Sequence, residues 1–500
     1  MPSPEAASVG VGVGGGGSGG VGGGTDDSLA SSGPSGASVR AVLGRGETRT
    51  LLVAGLFFFL AFMWMQFLSA WIVQHISDSA RLVQLTGFCQ MAPNILGPPL
   101  GLLADRVDKR KLEAGCLLVM MLVSAGMALA VALDWPADLM GPTVVGADGA
   151  DTPPDQGKWL AMIYAHQVVV GFGIPIFSVC HMPQISLAAG KAGAQTALAM
   201  AACCFGIGGI VGNVLGGVVV DLWRPTGAYI VGAVWWLISL VLLLTVRTPP
   251  ARERDASVVE KKEADGMEGK ADGVPEEDDT GVTAVTVGAE EEQEGLQAGG
   301  CRSLLQNRPY MGVLGITVLS NLFYWGHVPF IQVIADNLDT SATAAGVLGS
   351  STSYGVLFGC VVCAARPPRR IGLAFAAGSC VASGLLAVAA IESYALAFVG
   401  LLAASCGAGF FGATQAALVM QAVPPAQHGL GMGVLALAIG AQAGGMILFG
   451  EVGEWLGPSA TVLLMAGVGF GTQVLFNAVL PDCARMVDPG AQAPGTGRRP

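Results

Sequence analysis

The stretch Gly101-Leu-Leu-Ala-Asp105-Arg106-Val-Asp108-Lys109-Arg110-Lys111 is where a long apolar run stops and acid and base crowd together. An aspartate at the C-terminal end of an apolar helix is badly placed, because the unpaired carbonyls there carry the negative end of the helix dipole. Asp105 therefore needs a positive partner, and Arg106, Lys109, Arg110 and Lys111 follow at once. A basic cluster directly after an apolar span marks a cytoplasmic turn. Gly101, one turn before the acid, has no side chain and lets another helix approach closely.

The rest of the chain agrees with a membrane boundary at this point. Of 500 residues 52% are apolar and only 12% charged, and the mean hydropathy is +0.60. That is about half the charge of an average soluble domain. The net charge of −11 does not imply a cationic partner, because between Ala251 and Gly300 fifteen acids face five bases. The acidity belongs to one loop. Most of the eleven cysteines lie within apolar runs, and Cys360-Val-Val-Cys363 has neither a second pair nor nearby histidines, so no metal or redox centre is expected.

Apolar runs of about 20 residues, the length that crosses a bilayer, recur at 51–74, 84–104, 112–133, 159–180, 196–220 and 227–246. A second set follows at 310–334, 345–365, 371–391, 394–420, 430–450 and 459–480. The expected architecture is all-α and polytopic, with two six-helix lobes, 49–247 and 304–480. Residues 1–48 read as a disordered Gly-rich tail, 248–303 as an acidic disordered linker and 481–500 as a second tail. With both termini cytoplasmic, the inner breaks carry Arg106, Lys109, Arg110, Lys111, Lys191, Arg366, Arg369 and Arg370. The outer breaks carry Arg81, Lys158 and Arg224. Which membrane holds the protein is not legible.

The order of glycine, three residues, Asp-Arg and a basic triplet resembles motif A of the major facilitator superfamily, with Asp108 where that pattern has glycine. Gly208, Gly212, Gly216 and Gly217 are similar to the family's motif C, a glycine frame associated with exporters, with Asn213 in place of its proline. Glycines at this spacing also serve plain helix packing. Gly440, Gly444, Gly445 and Gly450, six segments later, repeat the small face. Thr86-Gly87, Pro183, Gly227-Ala228-Tyr229 and Asn321-Leu-Phe look like the enterobactin-exporter and macrolide-efflux branch, with Pro183 expected after segment 4.

The resemblance implies a secondary transporter working by alternating access, with Asp105 seated against the start of segment 11 near Pro425 to Gly429 in the cytoplasm-closed state. It also implies that segments 1, 4, 7 and 10 line a cavity. Their polar and aromatic residues include Gln66, Trp71, Tyr164, His166, Asn321, Tyr324, Trp325 and Gln415. Phe67, Trp71 and Gln74 share one side of segment 1 by helical spacing. Such a lining suits an amphipathic or neutral organic solute better than a phosphate or dicarboxylate. The expected partners are the lipid bilayer, a small-molecule substrate and a coupled proton. No acid is expected well inside a helix, which leaves His166 as either a proton carrier or a structural histidine. No catalytic motif, cofactor site or nucleic-acid surface is present in the pattern. An importer of the same fold, and a non-transporting receptor or scaffold using the acidic loop, remain open on these residues.

Overall fold

The computed structural model describes residues 39–134, 156–246, 304, 306–366, 368–423 and 428–487. The acidic linker and most of both predicted tails lie outside them. Among the described residues nine helices are long and apolar enough to cross a membrane. Two of these, Thr196–Thr245 and Gly431–Val479, run to 50 and 49 residues, more than twice what a bilayer needs. Each contains a reversal, at Arg224 (φ 58°) and at Gly457 (φ 76°), and each reversal is followed by proline. The packing confirms both turns. Leu60 and Phe67 of the first helix meet Gly208 and Gly216 in parallel order, whereas Trp64 and Ala54 meet Ala228 and Ser239 in antiparallel order.

Dividing each long helix at its reversal, and adding residues 80–106, gives twelve spans. They are α1 Gly46–Ser77, α2 80–106, α3 Lys109–Asp134, α4 Gln156–Gly190, α5 196–223 and α6 225–245. The second lobe holds α7 Arg308–Asn337, α8 Ala342–Ala365, α9 Ile371–Ala390, α10 Tyr394–Ala422, α11 428–456 and α12 458–479. The first and last described residues, 39 and 487, and the α2–α3 turn lie at one end of the bundle, the terminal end. The α1–α2, α5–α6, α7–α8 and α11–α12 turns lie at the other, the distal end. Asp78 and Asp339, with φ of 45° and 50°, make equivalent distal turns in the two lobes. Aspartate tolerates this left-handed backbone better than most side chains.

Each lobe is knit by side chains reaching backbone carbonyls. In the first, Trp64 Nε1 donates to Ala228 O at 2.9 Å and Ser239 Oγ to Ala54 O at 3.0 Å, beside a Phe58–Phe177 stack at 4.4 Å. Long apolar side chains on α3, α6 and α12, such as Leu129, Leu133, Leu244 and Val479, are exposed. A bundle surface of that composition is a lipid-facing one.

Three boundaries differ from the sequence expectation. Helix begins at Val39 rather than after residue 48. There Val42 is buried and Arg45 donates to the carbonyls of Ala188 and Ala189 at the end of α4. Thr86-Gly87 lies inside α2, which starts at Ala80 behind the N-cap Ser79; Gly87 packs on Pro329 and Met446 of the second lobe. Finally, α4 passes through Pro183 instead of ending before it. A π turn at Phe177–His181 precedes the proline, and a widened turn is one place where a helix absorbs such a break. Beyond α12, residues 481–487 fold back on the bundle: Cys483 is buried and Gly372 N donates to Met486 O.

Candidate functional site: the seam between the lobes

The lobes meet along two antiparallel helix pairs, α2 with α11 and α5 with α8. Both pairs rest on absent side chains. A Cβ at Gly217 would lie 2.8 Å from the Ala342 carbonyl carbon and 2.9 Å from Thr343 Cα, and one at Gly450 would lie 3.2 Å from Arg81 Cα. Within the lobes the frame repeats: a Cβ at Gly212 would meet Leu60 O of α1 at 2.9 Å, and one at Gly445 would meet the Leu322 carbonyl carbon of α7 at 2.9 Å. Thus Gly208 and Gly212 seat α1 inside the first lobe. Gly216 faces Phe67, while Gly217 and Asn213 face α8 across the seam, where Gly346 meets the Asn213 backbone.

At the distal end the same two-fold relation places two carboxylates. Asp221 at the end of α5 accepts from Thr343 N at 2.9 Å and Thr343 Oγ1 at 2.6 Å. Glu454 at the end of α11 accepts from Arg81 N at 2.9 Å and from the Ser79 hydroxyl. Ser341 and Ser79 are the N-caps of α8 and α2, so each acid takes the second helical N–H of a helix in the opposite lobe. Unpaired N–H groups and the positive end of the dipole both favour a carboxylate there. Further bonds cross the seam nearby. Gln74 Nε2 donates to Asp336 Oδ2 at 2.9 Å, Gln84 Nε2 to Gly326 O at 2.9 Å, and the Arg81 guanidinium lies 3.7 Å from Glu451.

At the terminal end α2 and α11 touch through backbone and small side chains, with a Gly97 Cβ position 3.3 Å from Ala436 Cβ and Gly433 against Pro98. Gly101 faces Val179 of α4. Asp108, the departure from the family pattern, accepts from Arg110 N at 3.0 Å and caps α3. Arg110 reaches the Leu244 carbonyl at the end of α6, and Lys111 is exposed. The side chains of Asp105 and Arg106 and residues 424–427 lie outside the described residues, and so does the expected seat of Asp105.

The predicted cavity residues divide. On α1, Phe67, Trp71 and His75 stack in sequence, with centroids 6.4 and 4.0 Å apart, next to Gln74; Gln66 is buried on the same helix. Tyr164 and His166 are bound within the first lobe: Tyr164 to Leu82 O at 3.1 Å, His166 to Ser124 of α3 at 3.0 Å and edge-on to Tyr229 of α6. His166 therefore joins α3, α4 and α6. In the second lobe, Asn321 Nδ2 and Gln415 Nε2 bond Thr317 O and Thr317 Oγ1, each at 2.9 Å. Tyr324 is bonded to Ser405 at 2.8 Å and lies edge-on to Trp325, whose carbonyl accepts from Gln442. Asn321, Tyr324 and Trp325 all sit on a π turn, Ser320–Trp325.

Among the buried groups with a polar atom that finds no protein partner are Trp71 Nε1, both amide atoms of Gln90, His327 Nε2 and Gln332 Oε1. Gln90 and Gln332 escape motif reading, and their one sequence signal is an amide inside an apolar span.

Glu113 of α3 is an acid within a span, 4% exposed, with Oε1 2.6 Å from His181 Nδ1. Its position four residues after Lys109 reads as a boundary in sequence, but α3 turns this face inward.

A family description, Major Facilitator Superfamily, matches residues 50–448. The chain belongs to that superfamily. No curated protein sequence matches it. Among solved structures it is similar to a bacterial homologue of the human lysosomal transporter Spinster, in an inward-facing and unoccupied conformation. The TM-score is 0.57 at 13% identity, over 90% of this chain and 97% of that one. A proton-dependent oligopeptide transporter gives 0.59 at 12% identity, over 88% and 99%. The nucleoside transporter NupG gives 0.56 at 13%, over 87% and 98%. At these identities the likeness is one of fold.

Proposed function

We propose that the chain is a secondary transporter that exports a small amphipathic organic compound by alternating access, with both termini in the cytoplasm. The observation that carries this reading is the paired capping of α8 by Asp221 and α2 by Glu454. Those bonds exist only while the distal, outward end is shut, and rocking one lobe against the other breaks them together. Buried polar atoms without protein partners on α1, α2 and α7 supply hydrogen bonds to a solute, since leaving such atoms unpaired costs about 1–3 kcal/mol each. The aromatic face Phe67–Trp71–His75 adds apolar area. Export is favoured by the resemblance of the Gly208–Gly217 frame to an exporter motif and by the likeness to the enterobactin-exporter and macrolide-efflux branch. Structural neighbours that carry peptides and nucleosides agree with an organic solute.

The test is flux in liposomes holding the full chain, with a panel of labelled amphipathic, peptide and nucleoside solutes, with and without an imposed pH gradient. Saturable movement of an amphipathic solute from the terminal to the distal side is expected. Flux in the opposite direction alone overturns export, and no flux of any solute by monodisperse protein overturns transport.

A further inference from the structure

The N-terminal lobe holds a buried acid–imidazole pair that the seam does not use. Glu113 and His181 are 4% and 1% exposed, and every polar atom of the pair is engaged. Glu113 Oε1 lies 2.6 Å from His181 Nδ1, and Glu113 Oε2 accepts from Gln184 Nε2 at 2.8 Å. His181 Nε2 lies 3.1 Å from Leu51 O. The Phe177 ring stacks on the imidazole at 4.3 Å, and Gly55 leaves the space its far edge occupies.

Hydrogen-bond chemistry fixes the protons. A backbone carbonyl only accepts, so Nε2 carries a hydrogen toward Leu51 O. The short contact at Nδ1 then needs one more proton, shared as imidazolium with carboxylate or as neutral imidazole with carboxylic acid. In either form the pair is neutral. Removing that proton sets a nitrogen lone pair against a carboxylate and leaves a net negative charge in a buried site, which is costly. The pair therefore shares a single proton between the two groups.

Among the described residues, four elements pack around the pair. From α3 itself come the Cys116 thiol and, one turn earlier, Lys109 and Arg110; the π turn and α4 contribute the Cys180 thiol and the Gln184 amide. Helix α1 presents Leu51 O and Gly55, and Arg45 before it is bound to carbonyls at the end of α4. Helix α2 presents Ala104, packed on Ile176 and Cys180.

We propose that Glu113, His181 and Gln184 form a proton-binding site of this transporter, distinct from the solute site in the seam. The site is placed to act on the terminal gate: the π turn that carries His181 also bears Gly101 and Ala104 of α2 through Val179 and Cys180. The same α2 segment meets α11 at Gly97 and Pro98. A change of charge on the pair is thus one layer of packing from the lobe contact. The role in transport rests on the proposed function, but proton binding does not.

The test is a proton-release titration of the purified full chain in detergent with an indicator dye, from about pH 5 to about pH 9, with no solute added. Wild type is expected to release one more proton per chain than the double variant Glu113→Gln/His181→Gln. In ¹⁵N-histidine spectra the His181 signal, assigned by its loss in His181→Gln, is expected to shift over the same range. Gln184→Leu, which leaves both titrating groups in place, is expected to move the midpoint without changing the count. An equal proton count in the folded double variant, or a His181 signal constant with pH, overturns the site. If the double variant does not fold, the His181 signal in wild type and the midpoint in Gln184→Leu decide alone. Transport without the extra proton refutes this site only, and proton release without any solute flux refutes the transport reading only.

Discussion

Asp221 and Glu454 are two-fold counterparts: each accepts a hydrogen bond of 2.9 Å from the second helical N–H of a helix in the opposite lobe, at Thr343 and at Arg81. The acid of the first lobe holds a helix of the second, and the acid of the second holds a helix of the first. A rocking of the lobes about an axis at the terminal end would separate both clasps.

The first prediction concerns that clasp. Hydrogen bonds to a charged group are worth about 1.5–3 kcal/mol, and the helix-dipole contribution about 0.3–1 kcal/mol. Asp221→Ala and Glu454→Ala should each favour the distal-open state roughly tenfold or more, since about 1.4 kcal/mol is a factor of ten. Asp221→Asn keeps an acceptor and should shift it less. Spin labels on the exposed positions Leu222 and Trp455, on opposite lobes, report the separation. Unchanged distance distributions in both alanine variants would refute the clasp.

The second prediction separates glycines that seat a helix from those that merely occur in one. At Gly217 and Gly450 an added side chain meets backbone or Cβ atoms of the opposite lobe at 2.8–3.2 Å, whereas Gly467 and Gly471 have nothing within 4 Å. Gly217→Val and Gly450→Val should lose about 1–3 kcal/mol of stability through overpacking and widen the Leu222–Trp455 distance. Gly471→Val should do neither. Thermal unfolding and the same labels distinguish the outcomes.

These relationships show what the sequence carried and what it hid. The spans, the lobes and the glycine frame were legible because bilayer thickness sets a length and close helix contact sets a residue size. The shared side of Phe67 and Trp71 follows from helical spacing in the same way, whereas the capping of α3 by Asp108 was not read from the sequence. The partners of Asp221 and Glu454 were not legible, because both acids sit at span ends, where a charge is ordinary. Glu113 lies one turn from a span end and escapes notice for that reason too. Its partner His181 was placed past a helix that seemed to stop at Pro183, and only the π turn brings the two together. His166 had the opposite fault: a histidine in a predicted lining helix turned out to face α3 and α6.

The third prediction tests whether the π turn of α7 is held by its side chains. Tyr324 is fully buried and bonded to Ser405 of α10 at 2.8 Å. Hydrogen bonds between membrane helices average about 0.6 kcal/mol by double-mutant cycle. Tyr324→Phe and Ser405→Ala should each destabilise the protein slightly, and the double variant should cost less than the sum by about that amount. Strict additivity in thermal unfolding would show that the contact carries no energy.

The last prediction follows from the chain beyond α12. Cys483 lies outside the spans, buried where a Cβ on Gly312 of α7 would come within 2.6 Å of its own Cβ, and with its carbonyl against Gly372 of α9. Burial pushes its thiol from 9.0 up to about 12, because the thiolate is poorly solvated there. Between those values the unfolded chain has lost a proton that the folded chain keeps, so folding stability must fall as pH rises. The contribution is fully present below about pH 9 and is lost progressively toward about pH 12. Cys483→Ala removes the ionisable group, and its alkaline decline in stability should be shallower than that of wild type. At neutral pH a thiol reagent should modify Cys483 only after unfolding, since both the thiolate and the access it needs are missing. Rapid labelling of Cys483 in folded protein at neutral pH would show that residues 481–487 do not hold their place beneath α7 and α9.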